Sequence, residues 1–175
     1  MIEPREAPQA AAIFERNHLA VYRFLRRATG DGPTAEDLTQ DVFLRIVRRL
    51  DRYEDRLRER AWVFRIARNV LLDRQRRAQR VRPELSLAAA PEVAVDARQT
   101  ASLALQEALA GLREEEREAF LLREVAGLGY EEIGAVVEAT PDAVRMRIYR
   151  ARVGLRAWLG GSPGTVVGVR RETVR

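Results

Sequence analysis

The chain has 175 residues, of which 46% are hydrophobic and 33% charged, so it can bury a core and is not compositionally disordered. Its formal net charge of +5 and its pI of about 10.5 favour an acidic partner, either nucleic acid or a membrane surface. The lack of cysteine excludes disulfides and thiolate metal sites. No apolar run is long enough to span a bilayer and the N-terminus lacks a signal-peptide layout, so we expect no membrane insertion and a cytoplasmic location.

Three long helical patterns predict a first domain at residues 1–80. "GDGP" ends the first helix, and Thr34 is predicted to cap the second, with Asp37 completing a variant of the capping box. A charged stretch, "DRYEDRLRER", precedes the third helix. The approximate bounds of the three helices are Ala10–Thr29, Thr34–Leu50 and Arg60–Arg80. The apolar positions of the first helix are Ile13, Leu19, Tyr22, Phe24 and Leu25.

The second and third helices each have one apolar and one polar face. The predicted buried positions are Ala35, Leu38, Val42 and Ile46 on the second helix, and Val63, Ile66, Ala67 and Val70 on the third. The second helix exposes a mixed acidic and apolar face, which fits either a protein partner or a solvated surface. The third exposes Arg65, Arg68, Asn69 and Arg76. Trp62 and Phe64 interleave with these arginines, a combination that suits melted nucleic acid but also fits aromatic residues of the core.

Residues 81–100, with two prolines and no sustained helical stripe, are predicted to link two domains, although a short helix in their alanine-rich part is an alternative. The second domain is predicted at residues 101–159, and the remainder, residues 160–175, as a disordered tail. Four helical segments fill the second domain: "LALQEALAGL", "REEEREAFLLREVAG", "YEEIGAVV" and "PDAVRMRIYRARVGLRAWL". No segment has a convincing strand pattern, so the expected fold class is all-α, with two small helical domains.

The last two segments are a short helix, a turn and a longer basic helix, as in a helix-turn-helix. Thr140 is a good N-cap, and Pro141 suits the first helical position. The core face of the long helix is predicted to be Val144, Ile148, Ala151 and Leu155. The opposite face comprises Asp142, Arg145, Met146, Tyr149, Arg150 and Arg156. Such a helix enters the major groove, so we expect base contacts from Arg145, Met146, Tyr149 and Arg150, and phosphate contacts from Arg147 and Arg152.

Four stretches together resemble the extracytoplasmic-function (ECF) group of bacterial sigma-70 factors: "AEDLTQDVFLRIVRRL", "RAWVFRIARNVLLDRQRR", "ALAGLREEEREAFLLREVAGLGYEEIG" and "AVRMRIYRARVGLRAWL". The resemblance spans about residues 10–159, with the stretches in the right order. It implies a region 2-like domain and a region 4-like domain. It also implies two partners, the core RNA polymerase (β′ and β subunits) and promoter DNA, and it allows an anti-sigma factor as a third.

The resemblance also implies which residues contact each partner. The surface for the β′ subunit would be Asp37, Gln40, Asp41, Leu44 and Arg45. The −10 element would be held by a base-capturing loop and the following helix, through Tyr53, Arg56, Arg58, Arg60, Arg65, Arg68, Asn69 and Arg76. The −35 duplex would be read through Arg145, Met146, Tyr149 and Arg150, with Arg123, Tyr130 and Glu131 near its backbone.

Several positions depart from the family pattern. The loop "YEDRLRER" is larger and more charged than in relatives, which puts the identity of the captured base in doubt. Gly129 stands where a serine or threonine cap is usual. Glu138 lies in the turn where glycine is common, so a positive φ there would cost about 1 kcal/mol. Met146 replaces a small polar residue, which suggests an altered −35 preference that includes contact with a thymine methyl group.

Two other hypotheses remain open. A helix-turn-helix regulator that binds an operator as a dimer would explain the second domain but not the motifs of the first. A sigma mimic that sequesters an anti-sigma protein would have no need of a basic reading helix. An enzyme is not expected, because His18 is the only histidine and no phosphate-binding glycine loop is present. We therefore expect no catalytic residue, cofactor, metal or small-molecule substrate.

Overall fold

The computed structural model describes residues 6–50, 53, 58–81 and 97–160. In these ranges the chain forms seven α-helices and no strand, which confirms the all-α class. The helices are α1 (Glu6–Thr29), α2 (Gly32–Val47), α3 (Glu59–Val81), α4 (Ala97–Ala110), α5 (Glu114–Glu124), α6 (Tyr130–Val137) and α7 (Pro141–Gly160). Residues 82–96 and 161–175, which hold most of the predicted linker and tail, lie outside the described residues.

Helices α1, α2 and α3 pack against one another around one apolar core. Phe24 of α1 and Phe64 of α3 are buried and meet edge to face, with ring centroids 5.6 Å apart. The buried amide of Asn17 donates to the carbonyl oxygen of Ile13 at 2.9 Å and to the carboxylate of Glu59 at 2.8 Å. This amide therefore ties the middle of α1 to the first turn of α3, and its polar group is satisfied inside the bundle.

Of the apolar positions that the sequence gives for α1, Ile13, Phe24 and Leu25 are buried, whereas Leu19 is 49% exposed. The predicted cap of the second helix was wrong. Asp31, not Thr34, caps α2: its carboxylate accepts the backbone N–H of Thr34 at 2.8 Å. The helix can begin earlier than expected because proline is well accommodated in a first helical turn. The hydrogen bonds from Thr34 lower the pKa of the Asp31 carboxyl.

Helix α7 is central to the second bundle and packs against α4, α5 and α6. Its predicted core face is confirmed, since Val144, Ile148, Ala151 and Leu155 are all buried. Helix α6 spans the predicted segment. Thr140 caps α7 as expected, accepting the N–H of Ala143 at 3.2 Å. The sequence pattern was reliable here because one buried face of a regular helix determines which residues lie on the other.

The turn between α6 and α7 is tight. Glu138 adopts the left-handed conformation, with φ 57° and ψ 50°, as its position in the turn suggested. The backbone then folds back so closely that a Cβ atom on Gly134 would lie 2.6 Å from the carbonyl oxygen of Ala139. Gly134 therefore has no room for a side chain at this close approach of the backbone.

Candidate nucleic-acid interface

The outer face of α7 presents a compact set of exposed side chains. Met146 is 48% exposed and Tyr149 59%, although both are large hydrophobic residues. Arg145 and Arg150 lie beside them and are also exposed. Within the described residues, Arg150 has no carboxylate at ion-pair distance, so its guanidinium is available to an external anion. The four residues that the sequence predicted for base contacts thus share one accessible surface.

Carboxylates pair with three of the other four arginines of α7, Arg145, Arg147 and Arg152, and so reduce charge repulsion along the helix. Arg147 pairs with Glu115 at 3.0 Å and Arg152 with Glu124 at 2.6 Å, both on α5. The hydrogen bond to Glu124 raises the pKa of Arg152. Arg147 and Arg152 therefore also attach α7 to α5, and a phosphate would have to compete with these carboxylates.

A cluster of arginines surrounds Tyr130 at the start of α6. The guanidinium carbon of Arg123 lies 5.0 Å from the centre of the ring and that of Arg145 lies 5.2 Å from it. Arg123 also donates to the carbonyl oxygen of Leu128 at 2.8 Å, and Arg145 to Asp142 at 2.7 Å. Glu131, the third residue predicted near the −35 backbone, is exposed. The cluster joins residues from α5, α6 and α7.

The arginines of α3 are covered in part by the second domain. Arg68 pairs with Glu118 of α5 at 2.7 Å, and these side chains are only 22% and 15% exposed. Arg65 donates a hydrogen bond to the carbonyl oxygen of Ala135 on α6. Asn69 and Arg76, farther along α3, are exposed. Within the predicted −10 surface, Arg68 is therefore largely covered, Arg65 is exposed but hydrogen-bonded to the second domain, and the other two side chains are open.

An aromatic pair joins Tyr53, which precedes α3, to Trp62 in the first turn of that helix. Tyr53 is half-buried, and its ring centroid is 4.7 Å from that of Trp62. Arg58 and Arg60 are exposed nearby in the chain, whereas Arg56 lies outside the described residues. Trp62 remains partly accessible, while Phe64 is the fully buried aromatic of α3. The sequence allowed both aromatic residues to belong to the core; Phe64 does so fully, and Trp62 packs against the core while partly exposed.

The predicted polymerase-binding face of α2 is largely open. Asp37, Gln40 and Asp41 are exposed, and Leu44 is 54% exposed. Arg45 differs, because it is half-buried and pairs with Asp73 of α3 at 2.8 Å. Four of the five predicted residues thus form an accessible acidic and apolar surface, while Arg45 connects α2 to α3.

The sequence analysis did not predict the carboxylates that pair with these arginines of α3 and α7. The acids in the first turn of α5 carry charges that are favourable at a helix N-terminus whatever their partners. Glu115 and Glu118 also form ion pairs, with Arg147 of α7 and Arg68 of α3. Another unexpected feature is the stacking of His18 on Phe14, with ring centroids 4.7 Å apart and Phe14 45% exposed. A helical pattern gives no signal for the ion pairs, since they depend on which helices become neighbours. Phe14 and His18, by contrast, are four positions apart on α1, a spacing at which side chains of one helix meet.

Two further observations concern the part of the chain that the structure describes. None of its helices combines the length and the apolarity that a bilayer span requires. Within the same ranges, no group of three or more acidic or histidine side chains could hold a metal ion.

The fold defines a helical protein of two bundles, the second of which holds a helix-turn-helix with an exposed basic face, and comparisons with known proteins identify its family. Residues 13–81 match the model of sigma-70 region 2, and residues 102–155 match that of sigma-70 region 4. The ECF RNA polymerase sigma factor SigE of Mycolicibacterium smegmatis is 35% identical, over 90% of this chain and 70% of that protein. The RNA polymerase sigma factor CarQ of Myxococcus xanthus is 37% identical, over 85% of this chain and 87% of that protein.

Solved structures agree. The sigma factor RpoE of Bartonella quintana, in complex with the anti-sigma factor NepR, has a TM-score of 0.69 at 25% identity, covering 84% of this chain and 94% of that one. CnrH, in complex with the cytosolic domain of CnrY, has a TM-score of 0.65 at 27% identity, covering 89% and 95%. The chain belongs to the ECF subfamily of sigma-70 RNA polymerase sigma factors. It is an alternative sigma factor that directs promoter recognition.

Proposed function

We propose that this sigma factor reads the −35 duplex through the outer face of α7, with Arg145, Met146, Tyr149 and Arg150 reaching base edges. The observation that carries the proposal is that these four side chains are accessible together, directly opposite the stripe that packs α7 into its bundle. A helix held by one face and exposed on the other can enter the major groove without distorting its domain. Arg150, which has no carboxylate partner among the described residues, is the strongest candidate for a guanine contact.

In the same proposal, the first domain holds the melted −10 strand. Asn69 and Arg76 lie exposed along α3, and the Tyr53–Trp62 pair offers an aromatic surface beside the loop predicted to capture a base. Base stacking on aromatic rings and phosphate contacts to arginine together suit a single strand. They would offset the few kcal/mol that unstacking one base costs.

The open face of α2 is proposed to dock on the core polymerase, with Leu44 as its apolar contact and Asp37, Gln40 and Asp41 around it. The polymerase then performs the nucleotidyl chemistry, and this chain is not itself an enzyme. Such a factor acts where the polymerase acts, in the cytoplasm. The anti-sigma factor that the resemblance allows stays a prediction for this chain.

The proposed reading of the −35 duplex can be tested with Arg150→Ala in holoenzyme assembled from core polymerase. A −35 duplex is first selected by the wild-type holoenzyme from a randomised pool. Loss of a bidentate base contact should weaken binding to this duplex by about 1–3 kcal/mol, and binding to duplexes changed at the contacted base pair should fall less. Arg156→Ala is the matched control, because Arg156 is exposed on the same helix but lies nearer its C-terminal end.

An equal loss on every duplex would show that Arg150 contacts phosphate only. If the wild-type chain gave core polymerase no selectivity at all, the proposal would be wrong. A helix-turn-helix regulator would bind DNA equally well without the polymerase, and so would retain its selectivity when the core enzyme is omitted.

A further inference from the structure

The ring of Tyr130 lies against two guanidinium groups that have different attachments. Arg123 is half-buried and held by the carbonyl oxygen of Leu128 at 2.8 Å. Arg145 is 60% exposed, on the proposed reading face, and its only carboxylate partner among the described residues is Asp142, at 2.7 Å. Tyr130 itself is half-buried and belongs to the first turn of α6. The Tyr130 ring therefore contacts both Arg123, which a backbone hydrogen bond holds in place, and Arg145, which is proposed to contact DNA.

The distances fit cation–π attraction. The guanidinium carbons of Arg123 and Arg145 lie 5.0 and 5.2 Å from the ring centre, inside the range of about 6 Å over which this attraction acts. The ring face carries negative charge density, so it also screens two positive groups that would otherwise repel each other. The Leu128 contact limits the movement of Arg123, and Arg123 in turn limits the movement of the ring.

We propose that Tyr130 is a positioning residue for Arg145, and that it determines −35 specificity through its ring and not through a DNA contact of its hydroxyl group. This inference rests on the proposed reading of the −35 duplex by α7. An exposed arginine samples many rotamers, and ordering it on binding costs free energy. The ring and Asp142 restrict Arg145 before DNA arrives, so less of its freedom is lost when it meets a base pair.

Two substitutions distinguish the ring from the hydroxyl group. Tyr130→Phe keeps the ring and removes the hydroxyl group, whereas Tyr130→Leu removes the π face. Both are measured in holoenzyme, on a −35 duplex selected by the wild-type holoenzyme from a randomised pool and on its single-base-pair variants. We expect Tyr130→Phe to keep the wild-type selectivity. Tyr130→Leu should lower it by about two- to fivefold, and only at the base pair whose discrimination Arg145→Ala also removes.

A double substitution separates positioning from a general structural role. In the Arg145→Ala background, Tyr130→Leu should cause no further loss of selectivity, because the side chain that it positions is absent. A similar further loss in that background would overturn the proposal in favour of a structural role. Loss by Tyr130→Phe equal to that of Tyr130→Leu would overturn it in favour of a hydroxyl contact. Wild-type holoenzyme that selects no duplex would instead refute the proposed function, an outcome separate from these.

Discussion

The two surfaces proposed to bind DNA differ in what covers them. The reading face of α7 points to solvent, and its neighbouring ion pairs stay within the second domain. On α3, by contrast, Arg68 forms an ion pair with Glu118 of α5, and Arg65 donates a hydrogen bond to the backbone of α6. The face of α7 that is proposed to contact the −35 duplex is thus already accessible in the isolated chain. Arg65 and Arg68 must first lose these contacts with the second domain before their guanidinium groups can pair with a DNA strand, whereas Arg76 is already exposed.

Helix α6 packs against both α7 and α3, so we expect a substitution in α6 to cause the largest loss of stability. Gly134→Ala would place a Cβ atom 2.6 Å from the carbonyl oxygen of Ala139, in a turn whose backbone has little freedom to move. We expect the free energy of unfolding to fall by about 3 kcal/mol, at the upper end for overpacking. Urea denaturation measures this change. Gly160→Ala is the control, since nothing lies within 4 Å of its new Cβ, and an equal loss there would contradict the steric explanation.

The ion pair between Arg68 and Glu118 allows the contact between the two domains to be weakened selectively. Glu118→Gln keeps the shape of the side chain but leaves the three-quarters-buried guanidinium of Arg68 without its charge partner. The domain contact should weaken by about 1–2 kcal/mol, between the values typical of exposed and buried pairs. Because the chain has no cysteine, dyes attached through Glu15→Cys and Arg156→Cys would report domain separation by energy transfer.

Glu115→Gln is the matched control for that experiment. Glu115 pairs with Arg147 inside the second domain and is 71% exposed, so its loss should leave the distance between the dyes unchanged. Separation equal in the two variants would indicate a general loss of charge balance, not release of one contact. No increase in separation with Glu118→Gln would show that packing of α3 on α6 holds the domains together without the ion pair.

The contrast between the two surfaces also shows where sequence reasoning succeeds. The outer face of α7 was predictable because four core positions at helical spacing determine which residues point away. Leu19 shows the limit of this reasoning, since α1 is amphipathic with apolar residues on more than one side and only packing decides which are buried. The pair of Arg68 and Glu118 could not be predicted at all. Those residues are fifty positions apart, and their contact depends on how two separate bundles meet.

A smaller change in stability is expected from lowering the pH, through Glu59 at the start of α3. Hydrogen bonds from Arg16, and then from Asn17, lower the pKa of Glu59 below its usual 4.5. A lowered folded-state pKa adds stability above the unfolded value, and that stability is lost as pH falls through 4.5 and toward the folded value. Between pH 6 and pH 3 the wild-type melting temperature should therefore fall more than that of Glu59→Gln. Glu15→Gln, exposed on α1, is the control, and a parallel fall in all three proteins would contradict this role for Glu59.

The smallest change in unfolding free energy is expected at Glu138, in the turn between α6 and α7. Glu138 has φ 57°, a conformation that costs a residue with a Cβ atom about 1–2 kcal/mol and costs glycine almost nothing. Glu138→Gly removes that cost but increases the entropy of the unfolded chain by an equivalent of about 0.4–1 kcal/mol. The net gain in unfolding free energy should be about 0.5 kcal/mol, measured by urea denaturation. Glu138→Ala keeps the Cβ atom and should give no such gain. If alanine stabilised as much as glycine, the benefit would come from removing the carboxylate, and the left-handed backbone would not be the cause.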